Sequence, residues 1–490
     1  MNGYDVVVVG NGVLGLSLAT TLGLRSAGRI ALVGDETRHT AATPAAGAML
    51  GCFGEVTTSL LATPYGRTKL DLAVRARAMW PSWLAQLGEL ADDRPGDGQP
   101  LITAEDTVVV LNTAGSGEVD DGNFRAIESA ARGCGASVEP IDVDKVAWLE
   151  PEANSRPLRA LYLPGEGALN APELLRRLER AAERTGVTRI RTPAERVDVD
   201  AGRVAGVTLR DGTVLGTRRL VLAAGARTGE LLDGLPELRA RVPLVFGGCG
   251  VSAVLDLGEV GCPPHVLRTP NRAFACGLHL VPRSARTVYV GATNGITFTP
   301  RYRPQVSELL ALLTSASHQM HRAIHRSTVD RVRTGLRPVS IDGFPLIGPT
   351  RTVDGLWLLT GTYRDGLHLS PLLARHIAQE LTGEPGLFDA AAFRPERELI
   401  QAFTRDQVVA DVVRSARAVT YEQRWQVPPS YPEFVTPMLA DAYQRLTGEL
   451  SDVYTPPAEF LAALRTADSA LRQRLRTYYA EVLRVWRSGS

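Results

Sequence analysis

Lysine is almost absent from this chain. Lys69 and Lys145 are the only two, within a combined Lys and Arg count of 54. A cationic side dominated by arginine reflects coding bias before function. Net charge is scarce too: the formal total is +1 over 490 residues, so the total points to neither a nucleic acid nor an acidic membrane as partner. Cysteine is sparse and scattered, at positions 52, 134, 249, 262 and 276, an odd number without a CxxC pair. That argues against a disulfide framework and a zinc site, and fits a reducing cytoplasm. Met1 to Tyr4 carry no basic stretch, so a secretory leader is not supported. No internal repeat and no long low-complexity stretch is visible. The one long apolar run, Val6 to Leu24, is interrupted by Gly10, Asn11, Gly12 and Gly15, which suits a strand, a turn and a helix better than a membrane span. The composition left, 44% hydrophobic and 22% charged, is that of a globular protein. At ~100–200 residues per domain, the length predicts two or three domains.

Tyr4 to Val9 (YDVVVV) reads as a central parallel strand. Gly10-Asn11-Gly12-Val13-Leu14-Gly15 follows, a GxGxxG turn, and then a helical pattern through Leu16, Leu18, Ala19, Leu22 and Leu24. A second strand is expected at Ile30 to Val33. Each glycine has a physical role. Gly10 permits the turn out of the strand, Gly12 lets backbone approach a pyrophosphate, and Gly15 lets helix pack on strand. The helix start, at Val13 and Leu14, faces phosphates with unpaired N–H groups and a positive dipole. Its position between a strand and a helix is the context that turns a short motif into a dinucleotide site. Gly34 stands where an acidic residue usually holds the adenosine ribose, and Asp35 and Glu36 follow at once. Asp35 is the candidate; the other reading is that it only caps the strand end.

The turn alone leaves FAD and NAD both open. Further segments separate them. Thr40 to Met49 (TAATPAAGAM) is a small-residue loop, with a helix expected after it. Leu220 to Ala226 (LVLAAGA) is a strand ending in a small-residue turn. Gly335-Leu336-Arg337-Pro338 leads to Asp342-Gly343-Phe344-Pro345-Leu346-Ile347-Gly348. Gly361 to Pro371 (GTYRDGLHLSP) follows a strand at Leu356 to Thr360 and opens a helix. In this order the segments resemble the D-amino-acid-oxidase family, and within it the glycine oxidase and sarcosine oxidase branch, from residue 1 to about 400.

The resemblance implies an α/β fold in which a Rossmann-like FAD-binding domain is assembled from residues 1–95, 165–240 and 333–400. An α+β substrate domain with a mixed or antiparallel sheet is inserted as 96–164 and 241–332, and 401–490 form a helical C-terminal extension. The pattern agrees: Ala171 to Thr185 reads as an amphipathic helix, and Arg189 to Arg196, Val204 to Leu209 and Leu220 to Leu222 as strands around a turn at Asp211-Gly212. By resemblance, a backbone pair after that helix holds the adenine, with Val197 as candidate. Gly47 and Met49 fall along the flavin, although Met49 suits core packing equally, and Thr43, Ala46, Ala224 and Gly225 are further cofactor-binding candidates.

Flavin amine oxidation asks little of acid–base groups; the protein supplies orientation and electrostatics. Arg337 is the candidate grip for a substrate carboxylate, since a guanidinium fork matches it bidentately and the resemblance puts the family's carboxylate-binding arginine there. The other reading is a structural arginine. Arg364 either touches substrate or closes the pocket. The Gly361, Arg364, Asp365, Gly366 and Leu367 turn, with the helix after it, is expected at the flavin pyrimidine edge, where N–H groups and the dipole stabilise negative charge. His279, on a strand, stands where glycine oxidases tend to carry a tyrosine, and either lines the pocket or is structural. Pro44 occupies the place where some relatives attach flavin through histidine, His39 notwithstanding, and no cysteine follows Cys276, so FAD is expected to be non-covalent. His318, His321 and His325 lack an evident carboxylate pair and read as a solvated helix face, so no metal is expected.

The function implied is oxidation of the C–N bond of an amino acid or N-substituted glycine. Hydride passes from Cα to flavin N5, the imine hydrolyses, and O2 gives H2O2, in the cytoplasm. A homo-oligomer is compatible with the residues, and a specialised biosynthetic role is a further expectation. A dehydrogenase with another electron acceptor and a non-catalytic FAD-binding subunit are the alternatives. The extension has helical spacing at Phe460 to Leu464 and Leu471 to Val485, punctuated by Pro428-Pro429 and Pro456-Pro457. Packing on the body, covering the active-site mouth and forming a dimer contact all stay open for it.

Overall fold

The computed structural model describes residues 3–39, 41–91, 99–274 and 276–487, with only the backbone of residue 487. Thr40, the expected domain boundary at 95/96 and the start of the chain, Met1 and Asn2, lie outside the described residues.

Val6–Val9 is buried throughout because both of its faces are covered. It sits inside a six-stranded sheet ordered Leu346–Pro349, Leu356–Thr360, Leu220–Leu222, Val6–Val9, Ile30–Val33, Thr188–Ile190. All neighbours are parallel except the first pair, which is antiparallel. Alternation assigns Val6 and Val8 to a core with the helices Val13–Leu24, Pro64–Ala91, Ala171–Arg184 and Ser370–Leu381. Val7 and Val9 enter a second core against a four-stranded sheet, ordered Gly3–Tyr4, Val214–Thr217, Arg203–Leu209, Ala194–Asp200. A strand apolar on both faces is therefore a sandwiched strand, as YDVVVV suggested.

The single strand expected over Arg189 to Arg196 is two. Thr188–Ile190 pairs with Ile30–Val33, and Ala194–Asp200 joins the other sheet. Between them lies Pro193, which has no N–H to continue a ladder. The helix expected directly after the small-residue loop is also absent. Thr43–Ala45 makes one tight turn, and the backbone then pairs with the Ala168–Leu169 strand: Leu169 N–H donates to the Ala48 carbonyl at 2.9 Å and Leu50 N–H to the Gly167 carbonyl at 2.8 Å. Those backbone groups are already paired, and Ala48 has φ +55°, so helix begins only at Thr58–Ala62.

The third layer is a nine-stranded, mostly antiparallel sheet. Its longest pairing joins Val245–Asp256 to Thr328–Ser340. The latter strand runs unbroken through residues 332 and 333, where a boundary between segments was expected, and carries Arg337.

The extension forms helices Arg405–Glu422, Tyr431–Leu450, Ala458–Leu464 and Ser469–Arg487. Thr404 starts the first with a reciprocal cap from Gln407. These helices share a core with Val339 and Ile341, against which Phe246, Phe298 and Tyr363 also pack, so the extension docks on the body. At the junction Arg397 meets Asp342, both buried, at 3.0 Å, and the carboxylate also accepts from Phe344 N–H and Ile400 N–H. Among the described residues no helix is long and apolar enough to cross a membrane.

Candidate functional site

A cavity of about 760 Å3 opens at the carboxyl ends of the parallel strands, where Val9, Val33 and Ala223 end their runs. Ligands of open α/β sheets bind at this edge, and the volume suits a large one. Its first end is built from backbone. Gly10 has φ +118°, and a Cβ there would stand 2.2 Å from the Ala223 carbonyl oxygen. A Cβ on Gly15 would stand 1.7 Å from the Gly10 carbonyl, so Gly15 serves helix-to-turn packing and does not line the cavity. Gly12 precedes the helix with no side-chain cap, which leaves the first N–H groups near the cavity; Val13 N–H has a long bond to the Thr43 hydroxyl at 3.3 Å.

Gly10, Gly12, Val13, Leu14, Asp35, Thr43, Ala46, Ala224, Gly225, Gly366, Leu367, Arg337 and Arg364 all line this one space. Asp35 is fixed by Thr37, whose N–H and hydroxyl donate to its Oδ1 at 2.9 and 2.8 Å; the backbone bond is the main cause of a carboxyl pKa below the usual range. Glu36 does not line the cavity and pairs with Arg191 at 2.8 Å near the surface. Val197 is also displaced from it: its side chain is buried between the sheets, while Pro193 and Ala194, at the start of the same strand, line the cavity. Arg38, which sequence reading passed over, lines the same end, donating to the Asn11 carbonyl at 2.9 Å and pairing with Glu179.

The small-residue loop is held by side chains of the nine-stranded sheet. Arg333 donates to the Pro44 carbonyl (2.7 Å), Tyr289 and Ser252 to that of Ala45 (3.0 and 3.1 Å), and Arg283 to that of Ala46 (3.1 Å). Gly47 and Met49, at the end of this loop, do not line the cavity. Met49 bridges to Ala168 and packs by Val266, Val281 and Tyr289, so the core-packing alternative holds for it. A Cβ on Gly47 would come 3.1 Å from His279 Nε2. His279 is 3% exposed, stacks on Tyr289, has Nδ1 2.8 Å from the Gly277 carbonyl, and does not line the cavity. Burial first, then Arg268, pushes its pKa down to about 4, so the ring is neutral at physiological pH. Its strand belongs to the same nine-stranded sheet as Arg337, but the ring packs against Gly47 and Tyr289 instead of the cavity.

At the far end Arg337 projects from the long strand toward Gly250, where a Cβ would stand 2.3 Å from its guanidinium. It donates to the Thr293 carbonyl and Asn294 Oδ1, both at 3.2 Å, and no ion pair engages it among the described residues. Asn294 also donates to the Tyr363 hydroxyl. Tyr363 has φ +52°, a costly backbone state for a bulky residue, and its N–H is tied to the Pro338 carbonyl at 2.7 Å. Arg364 donates to Glu459 Oε1 at 2.8 Å, and the Tyr363 hydroxyl donates to Glu459 Oε2 at 2.5 Å. Burial would lower the Arg364 pKa, but Tyr363, Cys276, Glu459 and Glu55 outweigh it and hold the guanidinium charged. Glu55 is held down to about 2: burial raises it, and Arg268 and Arg364 more than reverse that. Arg268 is 1% exposed and bonds Glu55 at 2.6 Å and Asn271 at 2.7 Å. Glu459, Glu55, Arg268 and Asn294 were not anticipated; no spacing in the sequence links them.

In the last motif, Gly361 takes φ +71° and Asp365 pairs with Lys69 at 3.0 Å; neither lines the cavity. The helix expected at Gly366 starts at Ser370, after a run of turns. His318 and His321 are not a solvated face: each meets one carboxylate, Glu152 at 3.4 Å and Glu150 at 3.6 Å, and His321 is buried beside Trp148. The carboxylates come from another segment, which spacing within one helix does not reveal. Among the described residues no group of three or more such side chains is placed to hold a metal.

The model of the FAD dependent oxidoreductase family matches residues 5–380. The chain belongs to this family. It is 29% identical to a glycine oxidase of Geobacillus kaustophilus over 400 residues, covering 81% of this chain and 97% of that protein. It is 27% identical to a glycine oxidase of Pseudomonas aeruginosa over 413 residues, covering 80% and 99%. The crystal structure of the Geobacillus kaustophilus glycine oxidase superposes with TM-score 0.69 at 25% identity, covering 82% of this chain and all of that one. The family match ends at Glu380, so Glu459 lies on a segment outside it. The glycine cradle, the uncapped helix start and the size of the cavity all fit the dinucleotide that the family uses.

Proposed function

We propose that the protein oxidises the C–N bond of an amino acid or N-substituted glycine that carries a free carboxylate. The observation that carries this reading is Arg337: a guanidinium without an ion-pair partner among the described residues, in the cavity that begins at the Gly10–Gly15 turn. Gly10, Gly12, Val13, Leu14 and Thr43 would hold the pyrophosphate of FAD, Asp35 the ribose, Pro193 and Ala194 the adenine, and Gly366 and Leu367 the flavin. When bound, FAD supplies the two-electron acceptor for the substrate Cα–H bond. Arg337 takes the carboxylate bidentately and fixes which Cα hydrogen faces inward. Its bonds to Thr293 and Asn294 hold the fork in place beforehand, so little ordering is left to binding. His279, neutral and off the cavity, supports the small-residue loop and takes no proton from substrate. The overall change is amino acid, O2 and water to oxo acid, amine and H2O2. The relatives named glycine oxidase support a small substrate. The same reading divides the chain into the cofactor segments 1–95, 165–240 and 333–400, the substrate segments 96–164 and 241–332, and the extension.

The test is to purify the yellow protein and add glycine, sarcosine and D-amino acids without oxygen, for the wild type and for Arg337→Lys. The flavin bands of the wild type should bleach with one class of amine. The variant should lose about a hundredfold in kcat/KM, mostly through KM, equivalent to about 3 kcal/mol of a charge-assisted bidentate contact. A wild type that no amine bleaches, or a variant as efficient as the wild type, would refute the assignment. Peroxide yield in air then separates an oxidase from a dehydrogenase.

A further inference from the structure

The family match ends at Glu380, yet the helix Ala458–Leu464 brings a carboxylate onto two residues that line the cavity, Tyr363 and Arg364. Its first turn carries Glu459, and the helix packs against the strand Gly295–Thr297 beside Asn294. Glu459 engages two groups that line the same cavity as Arg337: Arg364 at 2.8 Å and the Tyr363 hydroxyl at 2.5 Å. Tyr363 is connected to Arg337 through Asn294, which bonds to both. The two arginines of this wall are therefore unequal. Arg364 is neutralised by a carboxylate from the chain itself, and Arg337 is not.

A cavity with two unengaged guanidinium groups would favour ligands with two carboxylates. A cavity in which one is already satisfied favours ligands with one, because a second ligand carboxylate would have to displace Glu459 or stand beside it. We propose that Glu459 is a specificity-determining residue of the oxidation site, holding Arg364 so that substrates with one carboxylate are selected over those with two. This rests on the reading of Arg337 as the carboxylate grip. The extension is then part of the substrate wall and not only a covering of the fold. Glu459 acts through charge and occupancy and transfers no proton.

The test uses the FAD-loaded full chain and ligands that carry no amine, so that no turnover is needed. Isothermal titration calorimetry with acetate and with malonate gives the ratio of their affinities. Glu459→Gln keeps the shape and one acceptor oxygen but removes the charge; Glu459→Ala removes the side chain beyond Cβ altogether. In each, malonate should gain on the order of tenfold relative to acetate. Adding Arg364→Met to Glu459→Gln should cancel the gain. An unchanged ratio in a Glu459→Gln protein that melts like the wild type overturns the proposal and assigns Glu459 to docking alone, whether or not Glu459→Ala folds. Failure of acetate to bind the wild type would overturn the carboxylate grip and this inference together, a result distinct from an unchanged ratio.

Discussion

The two ends of the cavity are built by different means. At the phosphate end the backbone is decisive: Gly10, Gly12 and Gly15 lie within six consecutive residues, and their effect comes from lacking a Cβ. At the far end polar and charged side chains take that place, and Glu55, Asn294, Arg337, Arg364 and Glu459 come from five separate segments of the chain. The first kind of site tolerates almost no substitution but needs little of the rest of the chain. The second tolerates substitution more readily and depends on every layer docking correctly.

The comparison breaks most sharply at Gly10. Gly10→Ala forces a side chain into a φ of +118° and against the Ala223 carbonyl, so the protein should purify colourless and take up no added FAD, read from its visible spectrum. Retention of full FAD binding would show that the cradle is less tightly built than the geometry says. The other end is challenged at its docking point. Arg397→Ala strands the buried Asp342 carboxylate and should cost about 3–5 kcal/mol in urea unfolding. FAD should remain bound in whatever fraction stays folded, because neither residue lines the cavity.

A smaller effect tests the layer between the two ends. His279 has a folded pKa of about 4, below its ordinary value of ~6.5. As pH falls through that window the unfolded chain gains a proton that the folded one refuses. The stability contributed by neutral His279 is therefore present above ~6.5 and lost toward 4, by up to about 3 kcal/mol. His279→Asn, which retains a donor for the Gly277 carbonyl, should flatten the melting temperature between pH 7 and pH 5 relative to the wild type. Parallel curves for the two proteins would assign that slope to other groups.

What could be read in advance follows the same division. The Val6–Val9 strand, the glycine turn, the Asp211-Gly212 hairpin and the helical extension are local patterns, and the structure places each where the residues suggested. Arg337 was visible because a resemblance marked it, not because its neighbours did. Val197 lies off the cavity, which Pro193 and Ala194 line instead, because the strand expected over Arg189 to Arg196 is split at Pro193, and composition does not reveal that backbone ladder. His279 lies on the expected strand, but its ring is covered by Gly47 and Tyr289, since strand alternation gives a face and not what covers it. Glu459 left no trace at all: one glutamate among many becomes particular only when a helix far along the chain meets Tyr363 and Arg364.

The docking of the last helices also sets an order of assembly. Every glycine turn of the cavity has been synthesised by Leu381, whereas Val339 and Ile341 and the rings of Phe246 and Phe298 wait for helices that leave the ribosome later. A chain that stops near residue 400 therefore bares a greasy face on a body that already has its cofactor cleft. Premature termination in this protein should be a problem of aggregation before it is one of catalysis.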